Sequence, residues 1–234
     1  MAEDSRPIID LTPINGRVYD LLKERILECR YPPGAKIDLK ALREELGVSP
    51  TPIKDALFRL AGEGLVEVNS RRGTYVRQVS EQDLREILHA RMILEGGVVE
   101  MHAAEISERQ LEELERACWE ADPHGRHISY RQLVRADDRF HRLMVGLAGN
   151  RRLLETYSRL NAHLQILRFR FEEGEEDPEP LSDMSHQGIM AALRRRDPVA
   201  AKQAVEEHIR ATWELLASHW GGRQPGDISA SGQA

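Results

Sequence analysis

Residues 39–68 read LKALREELGVSPTPIKDALFRLAGEGLVEV. Leu39, Leu42 and Leu46 recur at i, i+3 and i+7, the spacing of one helix face. Gly47 ends that helix, since glycine enters the left-handed conformation of a helix end without a Cβ penalty. Ser49 offers an N-cap and Pro52 suits the first turn of the next helix. That helix runs to about Glu63, with Ile53, Ala56, Leu57 and Leu60 inward, and Gly64 closes it. Leu65-Val66-Glu67-Val68 and Thr74-Tyr75-Val76-Arg77 then flank Asn69-Ser70-Arg71-Arg72-Gly73, two short strands around a basic turn. Two short helices joined through a glycine turn make a helix-turn-helix, and the hairpin beside them makes it a winged one.

Working outward, Val18, Leu21, Leu22 and Ile26 form a helical stripe between Arg17 and Glu28, stopped by Tyr31-Pro32-Pro33-Gly34. Strand signals cease after Val79. Ser80 and Ser107 look like caps of two helices, and Ser107 with Gln110 has capping-box spacing. Helical patterns follow over about Ser129–Ala148, Asn150–Phe171, Asp183–Arg195 and Pro198–Trp220, the last opened by Asp197-Pro198. The expected fold is mainly α: a flexible arm over 1–13, a winged helix-turn-helix over 14–79, an all-α antiparallel helical bundle over 80–220 and a disordered tail over 221–234. The acidic stretch Glu172–Pro180 (EEGEEDPEP) reads as a loop.

The 234 residues carry 33 Lys+Arg against 39 Asp+Glu, a formal charge of −6. A chain that bound nucleic acid over its whole surface would be basic. The charge is unevenly spread, however: residues 1–78 hold 13 basic and 12 acidic side chains, and the remainder holds 20 and 27. DNA binding is then a matter for a few cations on one face of the near-neutral head. Cys29 and Cys118 cannot form a disulfide framework, and no run approaches the roughly 18 apolar residues of a membrane span. The N-terminus lacks a signal-peptide apolar region, so a cytoplasmic location is expected, with no membrane partner.

In a winged helix the second helix of the motif enters the major groove by its N-terminal residues. Here those are Ser49, Pro50, Thr51 and Lys54. Lys40, opening the helix before, and Arg71 and Arg72 at the hairpin tip are placed for phosphates or the minor groove.

The later part places polar residues on apolar stripes. Asp137 and His141 lie four and eight residues after Leu133, on the face of Phe140, Met144, Leu147 and Ala148. His186 leads Ile189, Met190 and Leu193, and His208 lies beside Val205, Thr212 and Leu215. Each alone reads equally as a hydrogen-bonded core residue, and Asp137 with His141 as a buried ion pair. Together they are four inward donors from three helices, one oxygen and three nitrogens, suited to Zn²⁺, Ni²⁺, Mn²⁺ or Fe²⁺. His163, beside Leu160, Leu164 and Leu167, reads as core or pocket lining; His89, His102, His124, His127 and His219 show no pattern. Arg91 among Ile87, Leu88, Leu94 and Val98, with Glu95 a turn later, is either a helical ion pair or a guanidinium that clamps an effector carboxylate. Asn150 after Gly149 reads as a helix cap, and Arg194-Arg195-Arg196 as a solvated helix end.

The string Leu42 to Val66 (LREELGVSPTPIKDALFRLAGEGLV), followed by Arg72-Gly73-Thr74-Tyr75-Val76, resembles the GntR-type winged helix, and the acidic helical remainder resembles the FCD effector domain of its FadR subfamily. The resemblance covers about Ile14 to Trp220. It implies DNA contacts at Lys40, Ser49, Lys54 and the wing tip Ser70–Gly73. Two positions depart: Pro50 stands where the family usually has Arg, and Lys54-Asp55 where it usually has Arg-Glu. Lysine cannot fork onto a guanine edge as arginine does. The resemblance also implies Asp137, His141, His186 and His208 as ligands of one divalent metal ion per chain, zinc foremost, and favours Arg91 as an effector contact. The implied function is a homodimeric repressor of a catabolic operon that reads a two-fold operator in double-stranded DNA and senses a small organic acid. The rival readings are a metal-dependent enzyme with a DNA-binding head and a regulator whose metal is structural. Against the enzyme, there is no His-Glu-x-x-His, and the residues three before His208 and His186 are Val205 and Asp183 rather than Glu.

Overall fold

The computed structural model describes residues 14–121, 130–172 and 186–220. The arm over 1–13, the start at Ser129, the acidic stretch beyond Glu172, the start at Asp183, the tail over 221–234 and His124 and His127 lie outside the described residues. Contacts divide the chain into two compact units, Met1–Gln78 and Val79–Ala234.

The first unit holds α1 (Ile14–Leu27), β1 (Lys36–Ile37), α2 (Leu39–Leu46), α3 (Pro50–Gly62), β2 (Val66–Asn69) and β3 (Gly73–Val76). Asp38 caps α2, its carboxylate accepting from the Lys40 and Ala41 N–H groups at 2.8 and 3.2 Å. Gly47 (φ 62°) ends it in the left-handed conformation. Ser49 holds the N-cap position of α3 but makes no side-chain capping bond; Pro50 stands at the helix start, where a missing N–H costs nothing. α1 packs on α3, burying Leu22, Ile26, Ile53, Leu57 and Leu60.

The sheet has three strands rather than the hairpin's two, in the order β1-β3-β2, all antiparallel. β1 is two residues long, too short to show a period in the sequence. It is secured by backbone bonds from Gly34 N to Val76 O and from Val76 N to Ala35 O, both 2.9 Å. Glycine suits position 34 because its φ of +82° is a left-handed conformation that strains a residue with a Cβ.

The second unit is helical: α4 (Glu81–His102), a 3₁₀ turn (Ala103–Glu105), α5 (Glu108–Ala121), α6 (Tyr130–Gly146), α7 (Arg151–Glu172), α8 (Gln187–Arg194) and α9 (Pro198–Trp220). α4 packs on α6, α7 and most extensively α9. Ser80 and Asp83 make a reciprocal capping box, and so do Ser107 and Gln110. Asn150 caps α7 and Asp197 caps α9.

Five expectations are corrected. α1 begins at Ile14 rather than Arg17, and α6 ends at Gly146 rather than Ala148. Val134, not Leu133, is the fully buried residue of α6's first turns. His186 precedes α8 as its N-cap instead of lying within a helix. The arginines after α8 are not merely solvated: Arg194 pairs with Glu115 of α5 at 2.7 Å, and Arg196 reaches Glu108 and the Ile106 carbonyl. No helix among the described residues is long and apolar enough to cross a membrane.

Candidate functional site

In the helical unit, α6 presents Asp137 and His141 one turn apart on its buried face. The start of α8 supplies His186, and α9 supplies His208. The four are buried, and one donor atom from each lies within 4.8 Å of all the others. His141 Nε2 is 3.1 Å from His208 Nε2 and 3.2 Å from His186 Nε2. Asp137 Oδ1 is 3.3 Å from His186 Nε2 and 3.7 Å from His141 Nε2. Donors set tetrahedrally around zinc at its usual bond lengths stand roughly 3.3–3.4 Å apart, so the donor set fits such an ion. Phe140, wholly buried, covers His186 with ring centroids 4.2 Å apart.

A second layer of buried polar residues stands behind these donors. Glu95 of α4 receives Arg91 Nε on Oε1 at 2.5 Å and His141 Nδ1 on Oε2 at 2.7 Å. Arg91 Nη1 donates to Asn161 Oδ1 at 3.1 Å, and Asn161 Nδ2 donates to Asp138 at 2.5 Å. Arg168 of α7 donates to Asp137 Oδ2, leaving Oδ1 on the side of the histidines. The Arg91 guanidinium also stands 5.3 Å from the centre of the Tyr157 ring. The Tyr157 hydroxyl and His186 Nδ1 are buried with no hydrogen-bond partner among the described residues.

Sequence reasoning brought the four donors and Arg91 forward but missed Glu95's second bond, Asn161, Arg168 and Tyr157. The signal available was the polar series Tyr157, Asn161 and Arg168 on one face of α7, interleaved with the buried Leu164. His163 was the wrong residue to single out there. It is only half-buried, and its Nδ1 bonds to the Arg159 carbonyl.

Electrostatics follow from the pairing. Burial by itself would raise the Glu95 carboxyl, but the Arg91 guanidinium and the hydrogen bonds from Arg91 and His141 hold it down at about 2. Burial opposes ionisation of Asp137 too, yet the Arg168 guanidinium, with a hydrogen bond from His186, keeps it well below its usual range. Burial pushes His208 well below, and His186 below, the ordinary histidine value. Tyr157 is pushed up by burial.

In the head, Ser49, Thr51 and Lys54 are exposed at the start of α3, and Lys54 has no ion pair among the described residues. Lys40 is exposed in the first turn of α2, with Glu44 4.0 Å away. Arg71 and Arg72 sit exposed at the turn, their backbone N–H groups held by Asn69 Oδ1 at 3.0 and 3.1 Å. Phe58, on the face of Thr51 and Lys54, is 66 % exposed and was not anticipated.

Comparison with known proteins agrees with both halves. Residues 14–76 match the family described as "Bacterial regulatory proteins, gntR family", and residues 86–211 match "FCD domain". The chain is 31% identical over 212 residues to the "Probable D-xylose utilization operon transcriptional repressor" of Paenarthrobacter nicotinovorans, covering 90% of this chain and 92% of that one. It is 27% identical over 204 residues to the "HTH-type transcriptional repressor RspR" of Escherichia coli K12, covering 87% and 89%. Among solved structures, E. coli McbR/YncC shares the fold with a TM-score of 0.79 at 21% identity, covering 90% of this chain and all of that one.

The buried groups set a pH dependence. Histidines 186 and 208 take up protons less readily folded than unfolded, so acidification below about 6.5 favours the unfolded chain. Glu95 and Asp137 add to this below about 4.3, as the unfolded carboxylates protonate first. The melting temperature of the helical unit, followed by circular dichroism, should fall steadily from about pH 7 to about pH 4. A flat or rising profile would contradict the burial of these groups.

Proposed function

Belonging to the GntR family of bacterial regulatory proteins, with an FCD domain behind its winged helix, the chain is a DNA-binding transcriptional regulator, and we propose that it is a metal-loaded repressor relieved by a small organic acid. The placement within the FadR subfamily rests on the FCD-type remainder. The observation that carries the metal is the convergence of three imidazole nitrogens and one carboxylate oxygen, all buried. Buried donors facing one another need an electropositive guest, and a divalent cation supplies it. Asp137 Oδ1 and Nε2 of His141, His186 and His208 are the proposed ligands, with zinc foremost and nickel, manganese or iron as alternatives.

Charge counting supports an acidic effector. The guanidinium groups of Arg91 and Arg168 and the carboxylates of Glu95 and Asp137 balance in the core. A divalent ion then leaves the buried centre with two uncompensated positive charges, an expensive state in a low dielectric. An organic anion offsets it. The Tyr157 hydroxyl, buried without a partner, offers such a guest a hydrogen bond, and the guanidinium of Arg91, the proposed effector contact, stands 5.3 Å from the centre of that ring. A divalent ion held by Asp137, His141, His186 and His208 would supply Lewis acidity toward a carboxylate, while the chain's own residues hold and orient the guest.

The proposed working form is a homodimer whose two heads read a two-fold operator. Ile93 and Met101, exposed 66 % and 75 % at i and i+8 on α4, supply apolar surface for a second copy. Lys40, Ser49, Thr51, Lys54, Arg71 and Arg72 are the proposed DNA contacts. An effector that favours one arrangement of the heads over the other shifts operator occupancy by its difference in affinity. The proposed target is a catabolic operon, in keeping with the D-xylose operon in the name of one relative.

Three measurements test this reading. Replacing both His141→Ala and His208→Ala should abolish bound metal by elemental analysis; stoichiometric retention would overturn the ligand assignment. Organic acids should raise the melting temperature of the metal-loaded protein and release DNA, and a chelator should remove both effects. If chelation lowers the melting temperature while the acid response survives, the ion is structural. Lys54→Ala should weaken binding to operator and random duplex alike and flatten the salt dependence by about one unit; a loss confined to the operator would make Lys54 a base reader.

A further inference from the structure

We propose that Glu95, which is not itself a ligand, is the positioning residue that decides which nitrogen of His141 faces the metal, with Arg91 holding Glu95 in place. The inference rests on the metal reading above.

An ionised carboxylate has only acceptors to offer. Both Glu95 oxygens are used, Oε1 by Arg91 Nε at 2.5 Å and Oε2 by His141 Nδ1 at 2.7 Å. His141 therefore carries a proton on Nδ1, and the neutral ring presents its lone pair at Nε2. That lone pair is the atom gathered 3.1 and 3.2 Å from the other two imidazole nitrogens. The alternative tautomer would point an N–H into the metal position and leave Nδ1 and Glu95 facing each other with lone pairs only, both fully buried.

The support extends one step further back. Arg91 has its Nη1 on Asn161, and Asn161 is held by Asp138. α4 thus contributes no ligand, yet its two charged residues at i and i+4 orient a ligand on α6. Outer partners of this kind typically change metal affinity 10–100-fold when removed. A buried ion pair that only stabilised the fold would have its carboxylate satisfied by Arg91 and would not reach the imidazole.

The test uses the full chain with zinc ion alone. In Glu95→Gln the amide oxygen stays with Arg91 and the NH₂ turns to His141 Nδ1, which favours the other tautomer. Zinc affinity by competition with a chromophoric chelator should fall about 10- to 100-fold, and Glu95→Asp should recover part of it. Nitrogen-15 NMR of the imidazoles in the metal-free proteins should place the His141 proton on Nδ1 in the unaltered chain and move it to Nε2 in Glu95→Gln. Unchanged zinc affinity in a folded Glu95→Gln protein overturns the proposal, as does an Nε2–H tautomer in the unaltered metal-free chain. The second result needs no variant to fold. Should the unaltered chain bind no zinc, the metal reading fails, while the tautomer measurement still decides what Glu95 does to His141.

Discussion

Charge taken out of water has to be matched, and the helical unit is organised around that requirement. Asp137 and Glu95 are carboxylates with almost no access to solvent, and each would cost several kcal/mol if left alone. Arg168 and Arg91 meet them, one from α7 and one from α4. Each carboxylate divides its oxygens, one to a guanidinium and one toward the histidines. The same bonds that make burial tolerable therefore aim the donors inward. α4, α6, α7, α8 and α9 are held in register by polar geometry as well as by the apolar side chains between them.

Much of this was legible in the sequence, for identifiable reasons. Helix ends declare themselves by local chemistry: Gly47 stands at one because it lacks a Cβ, and Ser80, Ser107, Asn150 and Asp197 stand at others for the reason their side chains suggest. Asp137 and His141 stood out because polar residues at i and i+4 interrupt an apolar face. What stayed hidden depends on distant partners. β1 exists only because β3 lies beside it. Glu95 looked like one half of an ordinary helical pair with Arg91, and only the fold brings His141, 46 positions later, to its second oxygen. Arg168 and Asn161 gain meaning in the same way. Leu133 and Val134 are adjacent, and the choice of buried residue turns on a rotation of α6 too small for the apolar pattern to resolve.

The head illustrates a different economy. Its charge is nearly balanced, and many of its ions serve the fold: Lys23 bridges to Glu63, Arg25 to Glu45, and Arg59 lies 3.7 Å from the centre of the Tyr19 ring. Lys40, Lys54, Arg71 and Arg72 remain exposed, as does the Phe58 ring. Such a surface draws on contacts of several kinds, since phosphate attraction alone scales with the number of cations engaged.

The position of α4 has a consequence for how the protein is made. Its chief neighbour is α9, the last helix described, and the four clustered donors run from residue 137 to residue 208. During synthesis the strands and helices of the head emerge early and have their partners nearby in the chain. The first helix of the helical unit must wait, its Arg91 and Glu95 uncovered, until α9 has left the ribosome. Long sequence separation slows such closure and leaves the intermediate open to wrong pairings. The cluster of four donors is consequently assembled late, and a chain that stops short of α9 lacks His208.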